Sequence, residues 1–311
     1  MMQGTAVEWS LVPLDRCEIC GERERMRLGI RSNVQLSRTL ALPPGAPVTT
    51  VFRCRGCRLV YCDPQPRGHS VEEVYGGVDD YFTIEIDEQR LDWYRRVAER
   101  LAGYREGRKG RLLDVGCGRG ELVHAARQAG WDAHGIDPDG HFVEFARRRF
   151  GLTTVRAADL DDADLPRRSF DAVTLNGVLE HIPNPVETVR KAAALLAPGG
   201  VLFFEVPHGD VIRFAAADLV LRALQSPFST HLSPFHPPYH LYEFSRRSVR
   251  RLAAAAGLDL LAVRYFPGSN RFPRGPGLRA RAMRLAYGVL VRMENATGRT
   301  YNLHAFLRAP M

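Results

Sequence analysis

The stretch RLLDVGCGRGE, residues 111–121, passes from an apolar run through three closely spaced glycines, Gly116, Gly118 and Gly120. Glycines at such a turn let the backbone approach a ligand closely, and the following helix points its N-terminus at an anionic group. A dinucleotide-binding turn has the spacing G-x-G-x-x-G, whereas this one has G-x-G-x-G with Asp114 two residues before it. The stretch therefore predicts a strand, a ligand-binding loop and a helix in succession.

From this stretch onward, strand-like and helix-like segments alternate, which is typical of a parallel sheet covered by helices on both faces. The fold class is therefore α/β, with residues 111–311 as one Rossmann-like domain. The predicted strands are residues 111–116, 132–137, 153–159, 170–176, 201–207, 258–266 and 300–309, and the predicted helices are residues 119–129, 139–150, 185–196 and 245–256.

The remaining segments do not follow that alternation. Residues 1–66 are punctuated by cysteines and form a predicted small module, and residues 67–110 form a polar linker followed by a helix from about Glu88 to Tyr104. Residues 208–244, rich in His, Pro and aromatic residues, and residues 268–299 are predicted insertions in the large domain.

Acidic residues end the next two predicted strands after the glycine turn. Asp137 can accept hydrogen bonds from both hydroxyls of a ribose, and Asp159 is positioned to meet an adenine amino group. With Asp114 and the glycine turn, these residues resemble the signature of class I S-adenosylmethionine-dependent methyltransferases, over about residues 110–311. The resemblance implies a seven-stranded Rossmann-like sheet with its last strand antiparallel, and S-adenosylmethionine as cofactor.

The same resemblance assigns parts of the cofactor to individual residues. The first two glycines of the turn would line its methionine end, Asp137 would hold the ribose, and Asp159 with its neighbour would flank the adenine. A Rossmann-like domain that binds NAD or nothing is the alternative, and Cys117 is interpreted as a small loop residue and not a nucleophile. The predicted cofactor-binding residues are Asp114, Gly116, Cys117, Gly118, Gly120, Asp137, Pro138, Asp159, Leu160, Asn176 and Gly177.

Two C-x-x-C pairs, Cys17 with Cys20 and Cys54 with Cys57, are separated by 33 residues. Four thiolates so arranged typically form a closed tetrahedral zinc site that stabilises a small module and performs no catalysis. A redox dithiol would instead be one pair near a βαβ unit. The sequence predicts a structural zinc ribbon, with Cys62 as a packing residue. A ribbon joined to a class I domain resembles a bacterial group acting on small molecules, including sugar methyltransferases, which implies that the ribbon covers the substrate cleft.

The first pair of catalytic candidates, Glu180 and His181, follows the fourth predicted strand. Ligands of doubly wound sheets bind at the carboxyl ends of the strands, so this pair should face the cleft. The stretch resembles quinone-type O-methyltransferases, in some of which the acidic residue helps to hold a divalent ion. Alternatively, both residues cap the helix that begins near Asn184.

His240 is the second candidate base, just before the aromatic turn that ends at Ser245, the predicted N-cap of the next helix. This turn resembles that of zinc-containing sugar C-methyltransferases, in which a Glu adjacent to the His takes part in proton transfer. Here the preceding residue is Tyr239, which puts C-methylation in doubt. His208, His231 and His236 are weaker candidates, interpreted as solvated loop residues.

Positive charge is concentrated at the C-terminal end: residues 205–311 hold 15 Arg and 6 acidic residues, whereas residues 1–80 hold ten of each sign. In one interpretation a helix over residues 277–294 packs its apolar face on the domain and leaves its arginines in water. In the other, it and the apolar segment 211–224 approach an anionic surface, either a membrane with a lipid-linked substrate or a nucleotide-sugar phosphate. The predicted apolar face is Leu278, Ala282, Leu285, Ala286, Val289 and Met293, and the predicted opposite face is Arg281, Arg284 and Arg292.

Together these features predict methyl transfer from S-adenosylmethionine to a small-molecule acceptor of sugar, quinone or natural-product type, with O- or N-methylation favoured. One alternative is an RNA base methyltransferase, against which stand the missing N/D-P-P-Y motif after the fourth strand and the neutral ribbon, so nucleic acid is not an expected partner. Another is a non-catalytic cofactor-binding module. Without a signal-peptide pattern or a membrane-length apolar run, a cytoplasmic location is expected.

Overall fold

The computed structural model describes residues 10–31, 49–67, 86, 88–232, 240–266 and 277–311. Its strands are β1 (Ser10–Val12), β2 (Arg25–Arg31), β3 (Thr50–Cys54), β4 (Val60–Asp63), β5 (Gln65–Arg67), β6 (Arg111–Val115), β7 (Asp132–Asp137), β8 (Val155–Ala157), β9 (Phe170–Asn176), β10 (Leu196–Pro207), β11 (Phe228–Ser229), β12 (Tyr242–Glu243), β13 (Asp259–Phe266) and β14 (Asn302–Arg308). Its helices are α1 (Glu88–Gly103), α2 (Glu121–Gln128), α3 (Gly140–Phe150), α4 (Pro185–Leu195), α5 (Ile212–Ala223), α6 (Arg246–Ala255) and α7 (Leu278–Thr297).

The larger sheet has the order β8-β7-β6-β9-β10-β14-β13. All of its strands run parallel except β14, which is antiparallel to both of its neighbours. The predicted seven-stranded α/β sheet with its last strand antiparallel is therefore confirmed. The structure corrects two boundaries: α2 begins at Glu121, since the glycine turn occupies the residues before it, and β8 ends at Ala157, two residues before Asp159.

Helices cover the large sheet on both faces, and most side chains that its central strands direct to either face are apolar. Leu112 and Phe203 belong to the cluster that packs against α1, α2 and α3. Leu113 and Phe204, one residue further along each strand, belong to the cluster that contains α4 and α6. Parallel strands flanked in this way bring the loops after β6, β7 and β9 to one edge of the sheet.

The cysteine segment contributes to a second, five-stranded sheet of order β11-β2-β3-β4-β12. The two edge strands come from the 208–244 insertion, which sequence periodicity did not indicate because each is only two residues long. The fully buried guanidinium of Arg31 donates through Nη1 to the carbonyl of His240 at 2.8 Å. The insertion and the predicted module thus share one sheet, while the division of the chain at residue 66 stays a prediction.

The predicted apolar face of the C-terminal helix is not the buried one. Leu285, Val289 and Met293 of α7 are exposed, whereas Val291 and Glu294 are buried. The buried side of α7 packs against α5, which occupies the predicted apolar segment. The interpretation that α7 packs its apolar stripe on the domain is therefore wrong. Within the described ranges, no helix combines the length and apolarity needed to cross a bilayer.

Candidate active site

The glycine turn after β6 requires glycine at each of its three positions. Gly116, Gly118 and Gly120 have φ of 69°, 49° and 79°, in the left-handed region that favours glycine. A Cβ on Gly116 would lie 2.6 Å from Val178 Cγ2, and one on Gly120 would lie 2.8 Å from Ala146 Cβ. A Cβ on Gly118 would meet no atom of the described residues within 4 Å. The turn is therefore packed on two sides and open on the third, where a ligand can lie against its backbone.

Asp137 binds this turn from the end of β7. Its Oδ2 accepts from the Gly118 N–H at 2.8 Å and its Oδ1 accepts from the Asp139 N–H at 3.0 Å. Burial raises the pKa of Asp137 to about 6, so the carboxylate is ionised at neutral pH. Because each carboxylate oxygen has two lone pairs, both can still accept from ligand hydroxyls.

Asp114 lies deeper, within β6, and is almost fully buried. Its Oδ1 accepts from Thr174 Oγ1 at 2.6 Å. Burial raises the pKa of this carboxyl to about 8, so Asp114 is mostly protonated at neutral pH. The neutral carboxyl of Asp114 joins β6 to β9 without placing a charge inside the sheet.

We expect this buried carboxyl to make stability depend on pH. Its pKa is raised in the folded state, so the stabilisation is complete below about pH 4, falls as pH rises and is lost above about pH 8. Asp114→Asn keeps the acceptor for Thr174 and cannot ionise. Urea unfolding without cofactor measures the free energy of unfolding. Between about pH 5 and pH 8 this free energy should decrease in both proteins, and the decrease should be smaller in the variant by roughly 1–3 kcal/mol. Equal drops in both proteins would contradict the buried-acid interpretation.

The other predicted cofactor residues lie around the same edge. Asp159 and Pro138 are exposed, and Leu160 is half-buried, in the loops after β8 and β7. Asn176 ends β9, where its Nδ2 lies 3.5 Å from the Tyr94 hydroxyl and its buried Oδ1 has no hydrogen-bond partner among the described residues. An unsatisfied buried amide oxygen on this edge fits a ligand that donates a hydrogen bond.

Cys117, inside the turn, is turned away from the open side. A Cβ on Gly135 of β7 would lie 2.8 Å from its Sγ, and burial raises the pKa of the thiol well above its ordinary value. This geometry agrees with the prediction that Cys117 is a small packing residue of the loop. Gly177 follows β9 with φ of 68°, and a Cβ there would be 3.7 Å from Glu180 Oε1, so this loop adjoins the next group of residues.

The structure brings the three predicted catalytic side chains together. The rings of His181 and His240 lie with centroids 4.7 Å apart at 62°, and His181 Nε2 is 3.9 Å from Glu180 Oε1. The Leu241 N–H donates to the Glu180 carbonyl at 2.6 Å, which ties the insertion to the loop after β9. Asn184, and neither Glu180 nor His181, caps α4 by accepting from the Glu187 N–H. The capping interpretation of this pair is therefore wrong.

Glu180 is the acidic residue of this group, and its pKa is raised. It is 6% exposed, and burial raises its pKa to about 8. Its Oε2 has no hydrogen-bond partner within the described part of the chain. One ligand atom each of Glu180, His181 and His240 lies within 4.8 Å of the others, so the group could also hold a metal ion with one carboxylate and two imidazole ligands.

The weaker histidine candidates are not solvated. His208 is buried, with Nδ1 2.9 Å from the Thr300 carbonyl, and burial lowers its pKa. His231 is also buried, with Nδ1 2.5 Å from Glu243 Oε2. Both interactions are local to the insertion and its neighbours, which corrects the expectation of solvated loop residues. His236 lies outside the described residues.

Sequence reasoning missed a cluster beside the glycine turn. Glu121 Oε1, at the start of α2, accepts from Arg119 Nη2 at 2.6 Å and lies 3.5 Å from Arg90 Nε of α1. Tyr94, one turn further along α1, is buried with a pKa raised to about 12 by desolvation. The prediction of α1 was correct, but its amphipathic pattern does not tell which strand ends the helix covers.

The four predicted zinc ligands also converge. Cys17 Sγ lies 3.6 Å from Cys57 Sγ, and Cys20 Sγ lies 3.5 Å from Cys54 Sγ. Four sulfurs about 2.3 Å from one tetrahedral ion would be about 3.8 Å apart, close to these separations. All six cysteines are free of disulfides, and burial raises the pKa of the Cys62 thiol to about 11, consistent with packing. The four-sulfur geometry fits a structural zinc ion.

The chain matches one family model and is similar to several known proteins. Residues 86–263 match the family described as "Methyltransferase domain". The chain is 38% identical over 185 residues to the ubiquinone biosynthesis O-methyltransferase of Bordetella avium, covering 56% of this chain and 73% of that protein. It is 34% identical over 199 residues to the enzyme of the same name from Ralstonia nicotianae, covering 60% and 77%. A S-adenosylmethionine-dependent methyltransferase structure from Archaeoglobus fulgidus has a TM-score of 0.47 at 15% identity, covering 70% and 94%.

Proposed function

Because this chain belongs to the methyltransferase-domain family, and is an S-adenosylmethionine-dependent methyltransferase, we propose that it methylates an oxygen or nitrogen atom of a small molecule. The observation that carries the proposal is the convergence of Glu180, His181 and His240 beside the glycine turn. O-methylation of a hydroxylated ring fits best, since two relatives are named ubiquinone biosynthesis O-methyltransferases. Sugars and other natural products are further acceptor classes.

The residues around the glycine turn are suited to hold the cofactor. Bound there, S-adenosylmethionine supplies an electrophilic methyl group attached to its sulfonium. The open backbone of Gly118 would contact the methionine end, Asp137 would accept from the ribose hydroxyls, and the unsatisfied amide oxygen of Asn176 would accept a further hydrogen bond. Arg90 pairs with Glu121, the residue that follows the glycine turn, and would bind the carboxylate of the methionine moiety. Asp159 and Leu160 would border the adenine.

The chemistry proposed for the chain's own residues is proton removal and alignment. An acceptor hydroxyl becomes a better nucleophile as its proton leaves, and an imidazole titrates in the right range to take that proton. His240 is the preferred base because it belongs to the 208–244 insertion on the acceptor side, and His181 is the second candidate. Glu180, with its raised pKa, would remain largely protonated at neutral pH and could donate a hydrogen bond to the acceptor.

A divalent ion held by the same three side chains is the second way in which this group could activate an acceptor. A carboxylate and two imidazoles are ligands that several transition metals accept. Their role would then be to hold the ion that binds the acceptor oxygen, and no imidazole would act as base. The two roles differ in their response to a chelator.

The proposed activity can be tested with purified protein and a panel of acceptors. Formation of S-adenosylhomocysteine should depend on a catechol or hydroxybenzoate, on a nucleotide sugar, or on another small molecule of the panel. The same preparation is given bulk tRNA as the alternative acceptor. Methylation of tRNA with no turnover on any small molecule would contradict the proposal.

We also infer that the four clustered cysteines bind one zinc ion per chain. Cys54→Ser combined with Cys57→Ser removes two of four thiolates and should abolish stoichiometric zinc, because two remaining ligands do not close a tetrahedral site. The matched control is Cys62→Ser, a buried thiol outside the cluster, which should retain the metal. Elemental analysis after dialysis against a weak chelator measures the content. Full zinc occupancy in the double variant would mean that the ligands lie elsewhere.

A further inference from the structure

Helices α5 and α7 expose apolar side chains in a way that core packing does not explain. Between 48% and 73% of each of six such side chains is exposed. We call this surface the two-helix face, and its apolar residues are Leu219 and Val220 of α5, Leu224 at the C-cap of α5, and Leu285, Val289 and Met293 of α7.

A partly buried ion pair joins the two helices. Arg213, in the first turn of α5, donates to Glu294 of α7 through both its backbone N–H and its Nε, at 2.9 and 3.0 Å. Its guanidinium also binds the Tyr287 hydroxyl. These contacts join the inner sides of the two helices. The apolar residues of the two-helix face therefore lie on helices that are held to each other and not on a loop.

The two helices bury their acidic residues and expose arginines. Each helix has one acidic residue, and both are buried: Glu294 in the ion pair, and Asp218 in hydrogen bonds from Ser229 and Thr230. The arginines Arg222, Arg281 and Arg292 are exposed. At 100° per residue, Arg281 and Arg292 lie within about 40° of Leu285 on the same side of α7, so the prediction that these two arginines lie opposite the apolar residues is wrong. Apolar and cationic groups therefore share the solvent side, and each helix turns its acid inward.

We propose that the two-helix face docks on an anionic lipid surface. Exposed leucine and valine combined with arginine are typical of helices that lie in the plane of a membrane interface, where the apolar groups enter the acyl boundary and the guanidinium groups bind phosphates. A protein partner with an acidic apolar groove would fit less well, because the exposed apolar residues and arginines are spread over two neighbouring helices, which suits an extended anionic plane. This inference concerns a surface outside the proposed catalytic cleft and does not depend on the acceptor.

Vesicle co-sedimentation tests the proposal with the whole protein. At low ionic strength the protein should sediment with vesicles of phosphatidylcholine and phosphatidylglycerol in equal parts, and not with phosphatidylcholine alone. Arg281→Glu with Arg292→Glu should weaken binding by ~tenfold or more, since each arginine near such a surface contributes measurably. Leu219→Ser with Leu285→Ser should weaken it similarly, because the apolar contribution is lost.

The matched control is Arg96→Glu with Arg167→Glu, two exposed arginines on other parts of the surface, which changes the net charge equally. This control should bind the anionic vesicles with nearly the affinity of the unmodified protein, and all variants should keep their thermal unfolding temperature. Absence of sedimentation with the anionic vesicles, or equal binding by all variants, would overturn the proposal. So would a dimer in sedimentation velocity that Leu219→Ser with Leu285→Ser dissociates, since the face would then bind a second copy.

Discussion

Alanine in place of His240 is expected to lower turnover on the methyl acceptor by about 10²–10⁴-fold, while the affinity for S-adenosylmethionine stays unchanged. The imidazole lies against His181 and next to Glu180, on the segment that the Leu241 N–H anchors to the loop after β9. Removing a base withdraws the group that takes the acceptor proton but leaves the glycine turn intact. Single-turnover kinetics with saturating cofactor, over a range of pH, measures the loss.

Three comparisons identify the origin of such a loss. His124→Ala is the control, since this half-buried ring stacks on Phe150 away from the cleft, and it should keep near-normal turnover. A chelator that abolishes turnover of the unmodified protein, with recovery on adding a divalent ion, would assign the three side chains to metal binding. If His181→Ala and His240→Ala both retain near-normal turnover, neither imidazole is the base and the reaction depends on alignment.

Replacing Asp137 by alanine is expected to weaken S-adenosylmethionine binding by roughly a hundredfold or more. Two hydrogen bonds from ribose hydroxyls to a charged acceptor together contribute about 3 kcal/mol or more. The substitution also removes the acceptor of the Gly118 N–H, so the turn loses its tie to β7. Isothermal calorimetry at neutral pH measures the affinity, and in the unmodified protein the affinity should fall as pH drops through about 6, where this carboxylate becomes protonated.

The control lies on the same strand. Asp132→Ala removes an exposed carboxylate at the opposite end of β7 and should leave the affinity unchanged. Asp137→Asn keeps the shape of the side chain and one acceptor oxygen, so its affinity for S-adenosylmethionine should lie between those of Asp132→Ala and Asp137→Ala. Unchanged affinity in Asp137→Ala would exclude this residue as the ribose ligand.

The large sheet was predictable from sequence because its signals are local. Several strands contain a short apolar run, the helices repeat apolar residues at the helical period, and the spacing of the glycines indicates a ligand-binding turn. Ser245 shows the same principle, since the predicted N-cap is observed as a capping box with Ser248. The spacing of the cysteine pairs is also visible in the sequence, so the four candidate zinc ligands could be identified from it, and the structure brings their sulfurs together.

What the sequence could not predict depends on contacts between distant residues. No pattern tells that the loop after β9 meets the insertion, so the pairing of His181 with His240 required the structure. The two edge strands of the smaller sheet are too short to have a period. For α7, the apolar stripe faces solvent, while its opposite side contains buried Val291 and pairs Glu294 with Arg213 of α5. Hydrophobic pattern alone is therefore a poor guide to which side of such a helix faces inward.

The shared five-stranded sheet sets an order of events during translation. The central strands β2, β3 and β4 leave the ribosome before the insertion does. The hydrogen bond from Arg31 to the carbonyl of His240 can form only after another 209 residues have been synthesised. At typical rates of synthesis this interval is on the order of 10–40 s. During it, both outer strands of the meander present unpaired backbone groups, which are templates for aggregation. The cysteine knuckles are complete by Cys57, so early capture of metal would hold the nascent meander together until the later strands arrive to close its edges.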